Sequence, residues 1–298
     1  MRHILTFDVE DWHQLCHRHL TGSLIPPHPY LEPQVDQILE CLAETNTRAT
    51  FFVLGLVAQS LAPKIREMAD LGHEVASHGH SHRPVYTQSP QEFRSDVKRS
   101  VDLLEQITGR KVRGYRAPEF TITRKNLWAL DELCDMGLAY DSSLFPIRYW
   151  RYGIPGCPRR PFVYCGKDQR RIFELPLSTV LFQGVNLPIA GGGYFRLLPE
   201  KWLARAVRKL ESEELPMVIY LHPYELSEKP LSMEERAIPG DLRVRVRARW
   251  LNFWFNLGRN GVRQKLTRLL QQHQFTTCKE FIDDENSRQS APLFQFDL

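Results

Sequence analysis

Apolar positions in this chain fall into two alternating spacings. Short runs that are apolar nearly throughout read as buried strands: HILTFDVE (3–10), RATFFVLG (48–55) and HEVASH (73–78). Between them the apolar residues recur at three and four. Val35, Ile38, Leu39 and Leu42 in PQVDQILECLAETN mark an amphipathic helix. A second helix is predicted over 56–71, closed by Gly72. Ser89 is an N-cap for PQEFRSDVKRSVDLLEQITG, with Pro90 at the first helical position and Gly109 as the stop. The alternation continues with strands at KVRGYRAP, LAYDSS, RIFELPLST and PMVIYLHPYEL. Helices are predicted over 124–136, 199–212 and 259–273, and FTTCKEFI is a short final element. The stretch from the first strand to PPHPY (26–30) reads as a polar loop, as does 146–170.

Repeated strand–helix units with apolar strands imply a parallel α/β sheet, and about seven of them in one run suggest a barrel. The glycine run in AGGGYF (190–195) does not have the GxGxxG spacing, so a dinucleotide site is unsupported. Neither a repeat nor a long linker divides the chain. A single domain is expected over 1–285, with a basic, aromatic extension at about 240–285 and a tail at 286–298.

Composition narrows the class. A 42% hydrophobic and 25% charged chain is that of a globular protein, and a net charge of +4 over 298 residues does not imply nucleic acid. MRHILTFDVEDW has carboxylates where a secretory signal has an apolar run, and no stretch reaches the ~20 apolar residues of a membrane span. The expected location is the cytoplasm, or the inner face of a membrane. Six cysteines without a CxxC pair argue against a zinc ribbon or a redox dithiol, and they are expected to be reduced.

Four predicted strands end in polar clusters: Asp8-Val9-Glu10-Asp11, His78-Gly79-His80-Ser81-His82, Arg116-Ala117-Pro118 and His222-Pro223. The carboxyl ends of parallel barrel strands lie on one face, so these clusters converge. Two imidazoles and a carboxylate suit a divalent borderline cation such as zinc. His78 and His82 share a face if the segment turns helically after its strand, which leaves His80 as a bystander. Asp8 and Glu10 point the same way in extended chain, so one can hold the cation while the other takes a proton. His222 is placed to donate one.

These motifs together resemble the polysaccharide deacetylases of the NodB-homology type, carbohydrate esterase family 4, over residues 3 to about 283. TFDVED is similar to the family's TFDDG, HEVASHGHSH to its H-[ST]-x-x-H region, GYRAP to RxP and IYLHP to LxLHP. The resemblance implies a distorted (β/α)7-type barrel that binds Zn²⁺, or another divalent ion such as Co²⁺, Ni²⁺ or Mn²⁺. It implies removal of N-acetyl, or sometimes O-acetyl, groups from sugars. On it, Asp8 is the catalytic base, His222 the acid and Arg116 the residue that holds the base. A backbone N–H near Glu119 is the oxyanion donor, and Asp141 is the partner that orients His222. His78 and His82 are metal ligands. Val9 separates what are adjacent aspartates in the family, so the carboxylate ligand is expected to be Glu10, with Asp11 as competitor. The C-terminal region looks nearest to the subgroup found beside exopolysaccharide and exosortase genes.

LRVRVRARWLNFWFNLGRN (242–260) interleaves Arg with apolar residues and then adds Trp250, Phe253, Trp254 and Phe255. It reads as an element covering the barrel, as a sugar-stacking groove, or as a surface that meets an anionic membrane. The expected partner is an N-acetylated oligo- or polysaccharide, free or lipid-linked, and not nucleic acid. Two alternatives are a cyclic amide or ureide hydrolase on the same fold and an inactive glycan binder. The retained Asp8, His78, His82, Arg116 and His222 argue against the binder.

Overall fold

The computed structural model describes residues 1–189, 191–233, 241–288 and 291–296. The strands among them are β1 (Arg2–Val9), β2 (Thr50–Val53), β3 (Glu74–Ser77), β4 (Gly114–Tyr115), β5 (Tyr140–Asp141), β6 (Phe162–Cys165), β7 (Arg171–Glu174), β8 (Thr179–Phe182), β9 (Val185–Pro188), β10 (Val218–Leu221), β11 (Gln274–Thr276) and β12 (Leu293–Phe294). One sheet runs β10-β1-β2-β3-β4-β5-β7-β6-β12, with β11 also paired to β1, while β8 and β9 form a separate hairpin. Within the sheet every pairing is parallel except β6 with β7.

Alternation along each strand sorts its side chains onto two faces. Leu5, Phe7 and Val9 of β1 join Phe51 and Val53 of β2 in the larger core, against Val35, Ile38, Leu42 and Ile65 of the covering helices. Those helices are Leu31–Glu44 and Ala62–Asp70, with Pro90–Thr108, Glu200–Ser212 and Val262–Gln272 continuing the outer layer. The intervening residues point the other way. Ile4, Phe52, Ala76, Tyr140, Phe173, Val218 and Tyr220 form an inner cluster. Each such side chain is worth about 1.5–3 kcal/mol on full burial, so both layers hold the fold.

The inner cluster joins β10 to β5 and β7, which lie far apart in the pairing order, so the sheet curls around it. Among the described residues the hydrogen-bonded circuit does not close. The Ser178 hydroxyl accepts from Val218 N at 2.7 Å and donates to Pro216 O at 3.3 Å, and a single bridge links Gly191 to Tyr220. The expected α/β architecture is present as a parallel sheet bent into an incomplete barrel.

Several elements differ from expectation. The polar loop after β1 is a helix, Trp12–Thr21, capped by Asp11, whose carboxylate accepts from His13 N and Gln14 N. Trp12 and Cys16 are buried on one face of it against Tyr224, Leu231 and Leu251, while its histidines disguise the stripe. The loop at 146–170 includes β6, and helices Gly192–Leu197 and Cys278–Arg288 were not anticipated. Of the tail at 286–298, residues 289, 290, 297 and 298 lie outside the described residues, as does residue 240 of the extension. Within that tail β12 pairs with β6 and Phe296 is buried, so the sheet recruits a segment that the sequence reading sets apart.

Candidate metal and active site

Each polar cluster begins where its strand stops. Asp8 lies in the last turn of the pleat of β1 and Glu10 follows it; His78 follows β3, Arg116 follows β4 and His222 follows β10. All lie at the carboxyl end of the barrel, as parallel pairing requires.

Glu10, His78 and His82 bring one ligand atom each to within 4.8 Å of one another. Glu10 Oε2 lies 2.9 Å from His82 Nε2 and 3.6 Å from His78 Nε2, and its Oε1 lies 3.6 Å from His222 Nε2. Burial raises the pKa of Glu10, but the surrounding His82, His78 and His222 rings outweigh that and hold the carboxyl well below its ordinary range. His78 Nδ1 is 2.9 Å from Arg116 O. A carbonyl only accepts, so Nδ1 carries the proton and Nε2 presents its lone pair toward Glu10. Two imidazole nitrogens and one carboxylate, with one ring's tautomer set from behind, fit a divalent cation.

The histidine segment does not turn helically. It is an irregular turn with Gly79 at φ +71° and His82 at φ +52°. Asp96 holds it by accepting from His80 N at 2.8 Å, from Ser81 N at 3.1 Å and from the Ser81 hydroxyl. Arg18, on the unanticipated helix, donates to Ser81 O at 2.5 Å and His82 O at 2.7 Å. His80 faces away, packed on Gly55, where a Cβ would lie 2.2 Å from its Nδ1. Only glycine at 55 leaves room for that ring.

Asp8 pairs with Arg116, Nη1 to Oδ1 at 2.8 Å, and both side chains are almost wholly buried. Arg116 also donates to the Thr6 hydroxyl at 2.6 Å, to Ser142 O at 3.0 Å and to Ser142 Oγ at 2.8 Å, and its guanidinium stacks 4.1 Å from the Phe52 ring centroid. The guanidinium is thus fixed on three sides before it meets Asp8.

Two of the expected site residues stand elsewhere. Asp11 is not in the cation group: its carboxylate is occupied as the N-cap and also accepts from His28 N. Asp141 does not orient His222. It accepts from Ser143 N at 2.9 Å and Ser143 Oγ at 2.7 Å, Ser143 Oγ in turn accepts from Ala117 N at 2.7 Å, and Asp141 sits against Glu174. It therefore steadies the loop that carries Arg116.

The partner of His222 is Glu225. Glu225 Oε2 is 3.1 Å from His222 Nδ1 and accepts from His222 N at 3.0 Å. Arg196 Nε lies 3.1 Å from Glu225 Oε1, and both side chains are buried. Burial disfavours the charged ring, but the Glu225 hydrogen bond and the Glu10, Glu225 and Asp8 carboxylates outweigh it and push His222 up to about 9. A signal for Glu225 exists in the sequence: His-Pro-x-Glu is a capping box with Pro at the first helical position. Arg196, on a distant helix, leaves no such trace.

A second cluster, His3, Glu211 and His273, also has ligand spacing. His3 Nδ1 accepts from Met217 N at 3.0 Å, so its Nε2 carries the proton and donates toward Glu211 at 3.3 Å. That is a hydrogen-bonded lock between β1 and helix Glu200–Ser212, with no lone pair from His3 to offer.

With that geometry in place, the comparisons with known proteins divide the chain in two. Residues 4–136 match the polysaccharide deacetylase family model. Residues 142–283 match a second model, described as a domain of unknown function (DUF3473). A peptidoglycan deacetylase of Helicobacter pylori is 29% identical over 115 residues, 38% of this chain and 38% of that protein. A chitooligosaccharide deacetylase of Sinorhizobium fredii is 40% identical over 75 residues, 25% of this chain and 32% of that one. These matches span well under half the length of either relative. In fold, a candidate polysaccharide deacetylase from Mycobacterium smegmatis aligns with TM-score 0.61 at 20% identity over 99% of this chain and 94% of its own. The first half of the chain is thus similar to polysaccharide deacetylases, and the whole chain shares the fold of the Mycobacterium smegmatis structure.

Proposed function

We propose that this protein is a metal-dependent hydrolase that removes N-acetyl groups from an amino-sugar-containing polysaccharide or its precursor, free or lipid-linked. One observation carries the reading. The Glu10–His78–His82 group sits at the same strand ends as a buried Asp8–Arg116 pair and lies 3.6 Å from the ring of a half-buried His222–Glu225 pair, which gathers donors for a cation, a candidate base and a candidate acid. The deacetylase names of the relatives support the choice of reaction. Fold likeness does not decide activity, since a neighbour at TM-score 0.50, 15% identity and 95% coverage of this chain (68% of its own) is a mutant of a CE4 family pseudoenzyme.

Glu10, His78 and His82 would hold the ion, and their N,N,O donor set suits zinc, with cobalt, nickel or manganese as substitutes. When bound, the ion supplies Lewis acidity, polarising the acetamide carbonyl and lowering the pKa of water. Arg116 occupies Asp8 Oδ1, and Oδ2 accepts the proton of the attacking water. The family resemblance would assign a backbone N–H near Glu119 to the developing oxyanion. His222, aligned through Nδ1 by Glu225, delivers its Nε2 proton to the amine nitrogen as the C–N bond breaks, releasing acetate.

The test is metal analysis of the purified chain beside acetate release from N-acetylated oligosaccharides, including chitooligosaccharides and peptidoglycan fragments. Acetate from at least one of them, dependent on the ion, is expected. One bound equivalent of zinc with acetate from none would overturn the reading and favour a cyclic amide substrate.

A further inference from the structure

Helix Leu242–Asn256 has two apolar faces. Val244, Ala248, Leu251 and Phe255 pack against the domain beside Trp12 and Tyr224. On the other side Leu242 (74%), Val246 (58%), Trp250 (57%), Phe253 (64%) and Trp254 (40%) stay exposed. At 100° per residue these five fall within an arc of about 120°. The Trp250 and Trp254 rings lie parallel, 5.9 Å apart. Arg245 and Arg249 border the arc on one side, Arg247 borders it on the other and Arg243 lies just inside that edge, all of them exposed. Between residues 242 and 260 the sequence contains no Asp or Glu. The whole chain nets only +4, so this fringe concentrates its positive charge.

We infer that this outer face docks on an anionic lipid bilayer surface. Tryptophan and phenylalanine rings between arginine fringes match an interfacial helix: the rings enter the headgroup boundary while the guanidinium groups reach the phosphates. A second copy fits less well, because a two-fold contact through this face would set one arginine fringe against the other. The helix also touches both sides of the candidate site. Arg247 Nη2 is 2.7 Å from His19 Nε2, next to the Arg18 that clamps the His82 loop, and Phe255 O accepts from Arg196, the partner of Glu225. Docking there holds the mouth of the barrel beside the bilayer. The inference stands on the helix alone and does not depend on the deacetylase reading.

Sedimentation of the full chain with vesicles tests it. Binding is expected to phosphatidylcholine vesicles containing phosphatidylglycerol, to pure phosphatidylcholine at least about tenfold more weakly, and to weaken with added salt. Trp250→Ala with Phe253→Ala, and separately Arg243→Glu with Arg245→Glu, should each lower binding by about tenfold or more while the melting temperature stays put, since these side chains are exposed. Equal binding to both vesicle types, no binding to either, or loss in neither variant would overturn the inference. So would a solution dimer that Trp250→Ala dissociates, which would assign the face to a second copy.

Discussion

The first and second halves of the chain furnish the site in different ways. Residues 4–136 supply Asp8, Glu10, His78 and Arg116, each within one residue of a strand end, and His82, five residues past β3 on a turn held by Asp96 and Arg18. Residues 142–283 supply His222 the same way, but its alignment depends on side chains: Glu225 one helical turn on, then Arg196 from another helix, then the backbone of helix Leu242–Asn256. Where the backbone places a group, short motifs reveal it. Where side chains place it, folding has to come first. On the proposed function, the first half would therefore hold the cation and the base, and the second half would tune the acid.

The largest effects should fall on the first half. His78→Ala and His82→Ala should each lose the cation and activity together, as should Glu10→Ala, with metal analysis and acetate release read on the same samples. Asp8→Asn should keep the cation and lose about 10²–10⁴ in rate, the usual contribution of a positioned base. Near-normal turnover in Asp8→Asn would place the base elsewhere.

The second half should respond in kcat alone. Glu225→Gln keeps an acceptor for His222 but removes the charge, and a ten- to hundredfold loss of kcat is expected with cation content and KM nearly unchanged. A drop in cation content would show that the two halves are not separable in this way. Glu225→Ala is the harsher variant, because it leaves the buried Arg196 without its carboxylate.

How far the sequence reveals the site follows the same division. Period-two alternation in β1 points Thr6, Asp8 and Glu10 one way, so the proposed cation carboxylate and the proposed base are both readable from TFDVED. The convergence of His78 and His82 is readable from spacing, but its cause is not: the turn is built by Gly79, Asp96 and Arg18, and two of those three lie on other elements. Asp141 misleads because a carboxylate after a strand reads as catalytic, whereas here it buttresses Ser143 beneath Arg116. The incomplete barrel is legible as alternating units. The helix at Trp12–Thr21 is not, because three histidines interrupt its apolar stripe.

Asp11 sharpens the contrast at a smaller scale. As an N-cap its loss should cost about 0.5–2 kcal/mol in a urea unfolding experiment. Asp11→Ala should nonetheless bind one equivalent of cation, whereas Glu10→Ala should not. Cation loss in Asp11→Ala at full folding would reinstate it as the ligand.

The smallest expected effect lies beneath Arg116. Burial raises the pKa of Asp141 and pushes that of Glu174 well above its ordinary value, and Asp141 raises Glu174 further, so the pair retains a proton that the unfolded chain gives up. Between the unfolded carboxylate value, about pH 4, and the raised folded value, the native state binds more protons than the unfolded state. The pair's contribution is therefore fully present below about pH 4 and declines as pH rises through that window. Depressed carboxylates such as Glu10 slope the other way, so only a difference between two proteins isolates the pair. Glu174→Gln keeps the acceptor that Leu144 N uses at 3.0 Å and adds a permanent donor toward Asp141. Subtracting its urea-derived stability from that of the unmodified protein, pH by pH, should leave a curve that falls as pH rises. A flat difference would mean that the two carboxyls ionise independently, and that the loop under Arg116 owes its position to Ser143 alone.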